Sequence, residues 1–100
     1  SKNYTAFMCC SDYYAVMLMS DFLDRGVRIP EDISFTGFDD DYTARIVRPK
    51  LTTIRQDIRE KGRIAVDSLE KLIRGEKPEN KNYCLPVELV FRDSVKKITE

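Results

Sequence analysis

Thr5-Ala-Phe-Met-Cys-Cys-Ser-Asp-Tyr-Tyr-Ala15, followed further on by Ile33-Ser-Phe-Thr-Gly-Phe-Asp-Asp40, is the stretch that decides the fold. Both segments use one device, an apolar run that stops abruptly at short polar side chains. Thr5–Cys10 is a continuous apolar run of the length of a strand, and such a run fits a strand buried on both faces. Ser11 and Asp12 are good helix caps. Behind them Ala15, Leu18, Met19, Phe22 and Leu23 recur at helical spacing, with Asp21 and Asp24 on the opposite side and Gly26 as a stop signal. Pro30-Glu-Asp32 reads as a turn, and Ile33–Phe38 as a second strand that runs into the acids Asp39, Asp40 and Asp41.

Tyr42–Val47 is expected to form a short helix that ends before Pro49, because the residue preceding a proline avoids helical angles. Leu51-Thr-Thr-Ile-Arg55 is rich in β-branched residues and predicts a third strand. Asp57 with Glu60 has the spacing of a capping box. Ile58, Gly62, Ala65, Leu69 and Leu72 then make a helical stripe closed by Gly75. Gly62 within it costs about 1 kcal/mol against Ala, which suggests close approach to a neighbour. Residues 75–82 form a polar loop. From Cys84 to Arg92 apolar residues alternate through Leu85, Val87, Leu89 and Phe91, and Pro86 marks an edge strand. Strands alternating with helices at this spacing predict an α/β fold, layered βαβ units around a parallel sheet.

One hundred residues make one domain, or a piece of a larger one. Seventeen basic and seventeen acidic side chains cancel, which argues against a surface built to hold a phosphate backbone. No apolar run approaches the ~20 residues of a membrane span, and no leader is visible at the start. Three cysteines and no histidine exclude a four-ligand Cys/His zinc site. Cys9, Cys10 and Cys84 read instead as buried, reduced thiols of a cytoplasmic protein. The acidic run at Asp39–Asp41 lacks the alternating ligand spacing of a calcium loop and reads as a solvated helix start. No nucleophile elbow, P-loop or general-base histidine is present, so neither an enzyme nor a bound cofactor is expected.

In open parallel sheets ligands bind beyond the carboxyl ends of the strands. Here those ends carry Ser11-Asp12, Asp39-Asp40 and Gln56-Asp57, with Tyr13 and Phe38 close by. Such a set suits a neutral polyhydroxylated molecule, since carboxylates accept hydroxyl hydrogen bonds and aromatic faces pack on sugar C–H surfaces. Asp12 and Asp57, taken one at a time, read as helix caps.

Five blocks carry a family resemblance. Ser11-Asp-Tyr-Tyr-Ala15 resembles the N-D-x-x-A of the lactose-repressor (LacI/GalR) family, and Gly26–Asp40 its G-x-x-V-P-x-D-I-S-V-V-G-F-D-D. Pro49-Lys-Leu-Thr-Thr-Ile-Arg-Gln56 resembles P-x-L-T-T-I-x-Q, Gly62-Arg-Ile-Ala65 resembles G-x-x-A, and Glu88–Ser94 resembles E-L-V-x-R-x-S. They stand in the right order and cover nearly the whole chain. The resemblance implies a fragment of a two-lobed fold similar to type I periplasmic sugar-binding proteins, with residues 1–100 as the C-terminal part of the effector-binding core. A helix-turn-helix domain and most of the N-terminal lobe would then precede Ser1.

It further implies effector contacts at Ser11 (usually Asn in the family), Asp39 and Gln56, with Ile58 as an apolar wall and Asp12, Tyr13 and Phe38 as further lining. Subunit contacts of a homodimer would fall at Val16, Met17, Ser20, Ile46 and Val47. Ser11 is shorter than Asn, so the ligand need not be the family's commonest sugars, and Met17 stands where many members carry Gly. Operator DNA would be reached only through the preceding domain. The helix from Ile58 and the strand from Cys84 would belong partly to the other lobe, which leaves apolar surface to be covered by association. A secreted sugar-binding protein of the same fold is the nearest alternative.

Overall fold

Ser11 has an extended backbone, and its Oγ accepts the Tyr14 N–H at 3.3 Å, so the first helix starts where the polar residues interrupt the apolar run. The computed structural model describes residues 4–77 and 82–98. Its elements are β1 (Ala6–Met8), α1 (Asp12–Asp24), β2 (Ser34–Thr36), α2 (Tyr42–Ile46), β3 (Thr53–Gln56), α3 (Ile58–Ile73) and β4 (Val87–Val90). β1 and β2 pair in parallel with Phe7 opposite Phe35. Isolated parallel bridges join Thr36 to Thr52 and Asp39 to Arg55, and β3 pairs with β4. The expected α/β arrangement of parallel strands is therefore present, and β4 stands at an edge.

The chain divides into two compact units, residues 1–55 with 88–100 and residues 56–87. In the first unit α1 buries Ala15 and Met19 against Ile29, Phe35, Ala44 and Leu51. Phe7, Phe22 and Phe35 meet with ring centroids 5.4–5.5 Å apart, one pair stacked and two edge-on. The last described segment stitches this unit together. Ser94 is fully buried; its Oγ accepts the Thr52 N–H at 2.8 Å and donates to the Phe35 carbonyl at 2.6 Å. The Phe35 N–H in turn donates to the Ser94 carbonyl.

Several expectations change. β1 is covered on one face only: Phe7 turns to the aromatic cluster, while Ala6 and Met8 point away and Met8 is 88% exposed. Leu18 and Leu23 lie at the margin of the α1 stripe and stay exposed. Of the thiols expected to be buried, Cys10 and Cys84 are exposed and Cys9 is half-buried, because Cys10 follows the covered part of β1 and Cys84 precedes the exposed β4. In the second unit α3 has the predicted length and its Asp57 cap, which accepts the Glu60 N–H at 3.0 Å. The capping box is half made, because the Glu60 carboxylate pairs with Arg63 instead. None of α3's residues is buried, and no described atom comes within 4 Å of a Cβ built on Gly62, so the close approach expected there is absent among the described residues. The alternating face Val87, Leu89 and Phe91 is exposed as well. Of the polar loop, residues 78–81 lie outside the described residues.

Candidate functional site

Asp12 is the residue on which the strand ends of the first unit converge. It is fully buried, and its N–H donates to the Phe38 carbonyl at 3.1 Å, tying the start of α1 to the end of β2. Its Oδ1 accepts the Thr53 hydroxyl at 2.6 Å, and its Oδ2 accepts the Asp41 N–H at 2.7 Å. Both carboxylate oxygens are thus engaged inside the protein. Asp12 is not the cap of α1, a role taken by Ser11. A Cβ on Gly37 would lie 2.3 Å from Asp12 Oδ1 and 2.9 Å from Leu51 Cδ2, so only glycine lets β2 pass this close.

Around that node stand the groups facing outward. Ser11 is half-buried at the helix start, Asp39 is half-buried beyond β2, and Phe38 and Tyr13 are exposed. Asp39 and Asp40 have φ of 117° and 58°, two successive non-glycine residues in left-handed space. Such residues cost of order 1–3 kcal/mol each and persist only where their surroundings fix them. Here the fixing is dense. The Asp39 N–H donates to the Ile54 carbonyl at 2.9 Å. The Asp40 carboxylate, 1% exposed, receives Arg92 at 2.6 Å, Arg55 at 2.7 Å and Arg45 at 3.2 Å. Arg55 also pairs with Glu88 at 2.9 Å, and Arg92 donates to the Leu51 carbonyl at 3.0 Å.

Burial by itself would push the Asp40 carboxyl up, but hydrogen bonds from Arg55 and Arg92 and the charge of Arg92 outweigh it and hold it below the ordinary carboxylate range. A depressed folded-state value means that the ionised form stabilises the fold. That stability is fully present above the unfolded value of about 3.9 and is lost as pH falls through the folded value. Denaturation midpoints measured between pH 6 and about 2.5 should therefore decline below about pH 4, and part of that decline should vanish in Asp40→Asn, which starts from a lower plateau. A profile unchanged by Asp40→Asn would contradict the assignment.

Gln56 and Ile58 belong to the second unit. Gln56 is half-buried and its Oε1 accepts Lys61 Nζ at 3.4 Å; Ile58 opens α3 and is 67% exposed. Within this unit a groove of about 790 Å³ runs between α3 and residues 83–87, lined mainly by apolar groups such as Ile64, Leu72 and Leu85. Asp57 lines the same groove and is a helix cap, as read from the sequence. Of the residues expected at a subunit contact, Met17, Ser20 and Ile46 are exposed, and Val16 and Val47 pack partly against the core. Among the described residues no cluster of metal-binding side chains occurs, and no helix is long and apolar enough to cross a membrane.

Sequence reading missed three things: the buried state of Asp12, its partner Thr53, and the arginines gathered on Asp40. Arg92 lies within Glu88–Ser94, but nothing in its spacing points to a carboxylate fifty-two positions earlier.

A family model described as "Periplasmic binding protein-like domain" matches residues 2–95. The transcriptional repressor PurR of Vibrio vulnificus is 42% identical over 94 residues, 94% of this chain and 28% of that protein. A crystal structure of the lac repressor dimer bound to operator and an anti-inducer superposes with a TM-score of 0.80 at 37% identity, covering 91% of this chain and 32% of that one. A periplasmic binding protein/LacI transcriptional regulator from Alkaliphilus metalliredigens, complexed with D-xylulofuranose, superposes with a TM-score of 0.86 at 30% identity, covering 95% and 36%. The chain thus spans about a third of the length of the proteins it matches.

Proposed function

Because this chain belongs to the periplasmic-binding-protein-like domain family, in the form carried by LacI/GalR-type regulators, we propose that it is the C-terminal part of the effector-sensing core of a transcriptional repressor. The effector is a sugar or sugar derivative. Ser11, Asp39 and Gln56 contact it, Ile58 forms an apolar wall, and Tyr13 and Phe38 stand at the margin. The observation that carries this reading is Asp39, a half-buried carboxylate held in a strained turn at the carboxyl end of a parallel strand. A group fixed at such cost, where this sheet type binds ligands, is built to meet one.

The protein has no catalytic role, works in the cytoplasm, and reaches operator DNA through a preceding domain. That the matched proteins are named as repressors and regulators supports this over a secreted sugar-binding protein. The core forms a homodimer through Val16, Met17, Ser20, Ile46 and Val47, of which Met17 and Ile46 are each more than half exposed. Large apolar side chains exposed in this way favour association.

The test uses the full-length regulator with D-ribose, D-xylulose and lactose. A specific ligand at one hundred times its Kd stabilises by about 2.7 kcal/mol and shifts the thermal midpoint visibly. We expect at least one sugar to do so, and a dimer in light scattering that Ile46→Asp converts to monomer. No shift with any of the three would count against the sugar reading, and an Ile46→Asp dimer against the interface.

A further inference from the structure

Asp39 sits in a turn that is fixed from outside the turn as well as by its own bond to Ile54. Its φ of 117° and the 58° of Asp40 make a turn that neither residue favours alone, and three guanidiniums on Asp40 keep it in place. Those three are not equivalent. The Arg92 side chain is 13% exposed and is also anchored to the Leu51 carbonyl, so it belongs to the framework of the first unit. Arg45 is 60% exposed and makes the longest contact. Arg55 stands directly across the parallel bridge from Asp39, next to the carbonyl of Ile54 that receives the Asp39 N–H. Its Nε reaches Asp40 at 2.7 Å and its Nη1 reaches Glu88 at 2.9 Å. One fork therefore joins the turn to β3, which carries it, and to β4 beside it. A side chain 47% exposed is not needed to fill the core, so these charge-assisted bonds serve geometry more than stability.

We propose that Arg55 is a positioning residue for Asp39, acting through Asp40 to hold the Asp39 carboxylate where it meets the ligand. This rests on the effector reading given above. Without Arg55 the Asp40 carboxylate retains Arg92 and the exposed Arg45, and the fold persists. The turn loses its side-chain link to the strand across from Asp39, and the backbone that carries the Asp39 carboxylate is less firmly set.

The experiment is calorimetric titration of the full-length regulator with whichever of D-ribose, D-xylulose and lactose gives the largest thermal shift. Arg55→Met is expected to weaken binding about tenfold, and Arg55→Lys, which keeps the charge but not the fork, less than that. Arg45→Met should bind as the wild type does. The thermal midpoint of unliganded Arg55→Met should stay within a few degrees of wild type. A double-mutant cycle separates positioning from general damage: added to Asp39→Ala, Arg55→Met should cost no further affinity, because it acts only through the carboxylate already removed. Wild-type affinity in Arg55→Met, or a loss that adds in full to that of Asp39→Ala, overturns the proposal while leaving the effector reading intact. Should Arg55→Met fail to fold, Arg55→Lys decides, and wild-type affinity there also overturns it. If Asp39→Ala itself binds normally, or no sugar binds, the effector reading falls and this proposal with it.

Discussion

Asp12→Ala is expected to abolish the cooperative thermal transition of the first unit or to lower its midpoint by tens of degrees. The Asp12 carboxylate is fully buried and is the partner of both the Thr53 hydroxyl and the Asp41 N–H. Hydrogen bonds to a charged group contribute roughly 1.5–3 kcal/mol each, so two of them amount to about 3–6 kcal/mol. Truncation also strands a buried hydroxyl and leaves a void beside Gly37, whose missing side chain already makes room for Oδ1. A domain of this size has only about 5–15 kcal/mol in total, and each kcal/mol moves the midpoint by roughly 4–8 °C. Thr53→Val should be milder, since it removes one bond and leaves the Asp41 contact in place. Thermal unfolding followed by circular dichroism makes the comparison. Asp12→Ala within about 1 kcal/mol of wild type would mean that the strand ends are held together by something else.

The order of elements was legible because each carries its own local signal. Ser11 and Asp57 cap helices, Gly26 and Gly75 follow the helix ends with positive φ, and periodicity marks the stretches between. Burial was less legible. Thr5–Cys10 looks like a strand covered on both sides, yet the described residues cover only the Phe7 side. The stripe on α3 is as regular as the one on α1, but it finds no core within its own unit. A stripe states which face wants cover and not what provides it, so a sequence reading assigns the face correctly and cannot identify the cover.

The site divides in the same way. Strand ends are one-dimensional features, so Ser11 and Asp39 could be placed just beyond β1 and β2 from the sequence alone. Asp12 sits next to Ser11 in the chain, and both are good caps by residue type, so only the fold separates the cap from the buried node. The grouping of Arg45, Arg55 and Arg92 on Asp40 depends on pairings across five, fifteen and fifty-two positions. Arginine is common enough on surfaces that such a convergence leaves no pattern in the sequence.

The largest functional effect is expected at Asp39. A carboxylate accepting two ligand hydroxyls makes charge-assisted hydrogen bonds worth roughly 1.5–3 kcal/mol each. At 1.4 kcal/mol per factor of ten, their loss weakens binding by at least about 100-fold. Folding should survive, because Asp39 is only half-buried and its backbone bond to Ile54 does not involve the side chain. Asp41 is the control: it is exposed and caps α2 through the Thr43 N–H at 2.9 Å, so Asp41→Ala should cost about 1 kcal/mol of stability and little affinity.

Calorimetric titration of the full-length regulator, its Asp39→Ala variant and its Asp41→Ala variant with one bound sugar is the most direct measurement. The effector-sensing account predicts near-wild-type affinity for Asp41→Ala and a loss of at least about 100-fold for Asp39→Ala; equal affinities for all three proteins would contradict it.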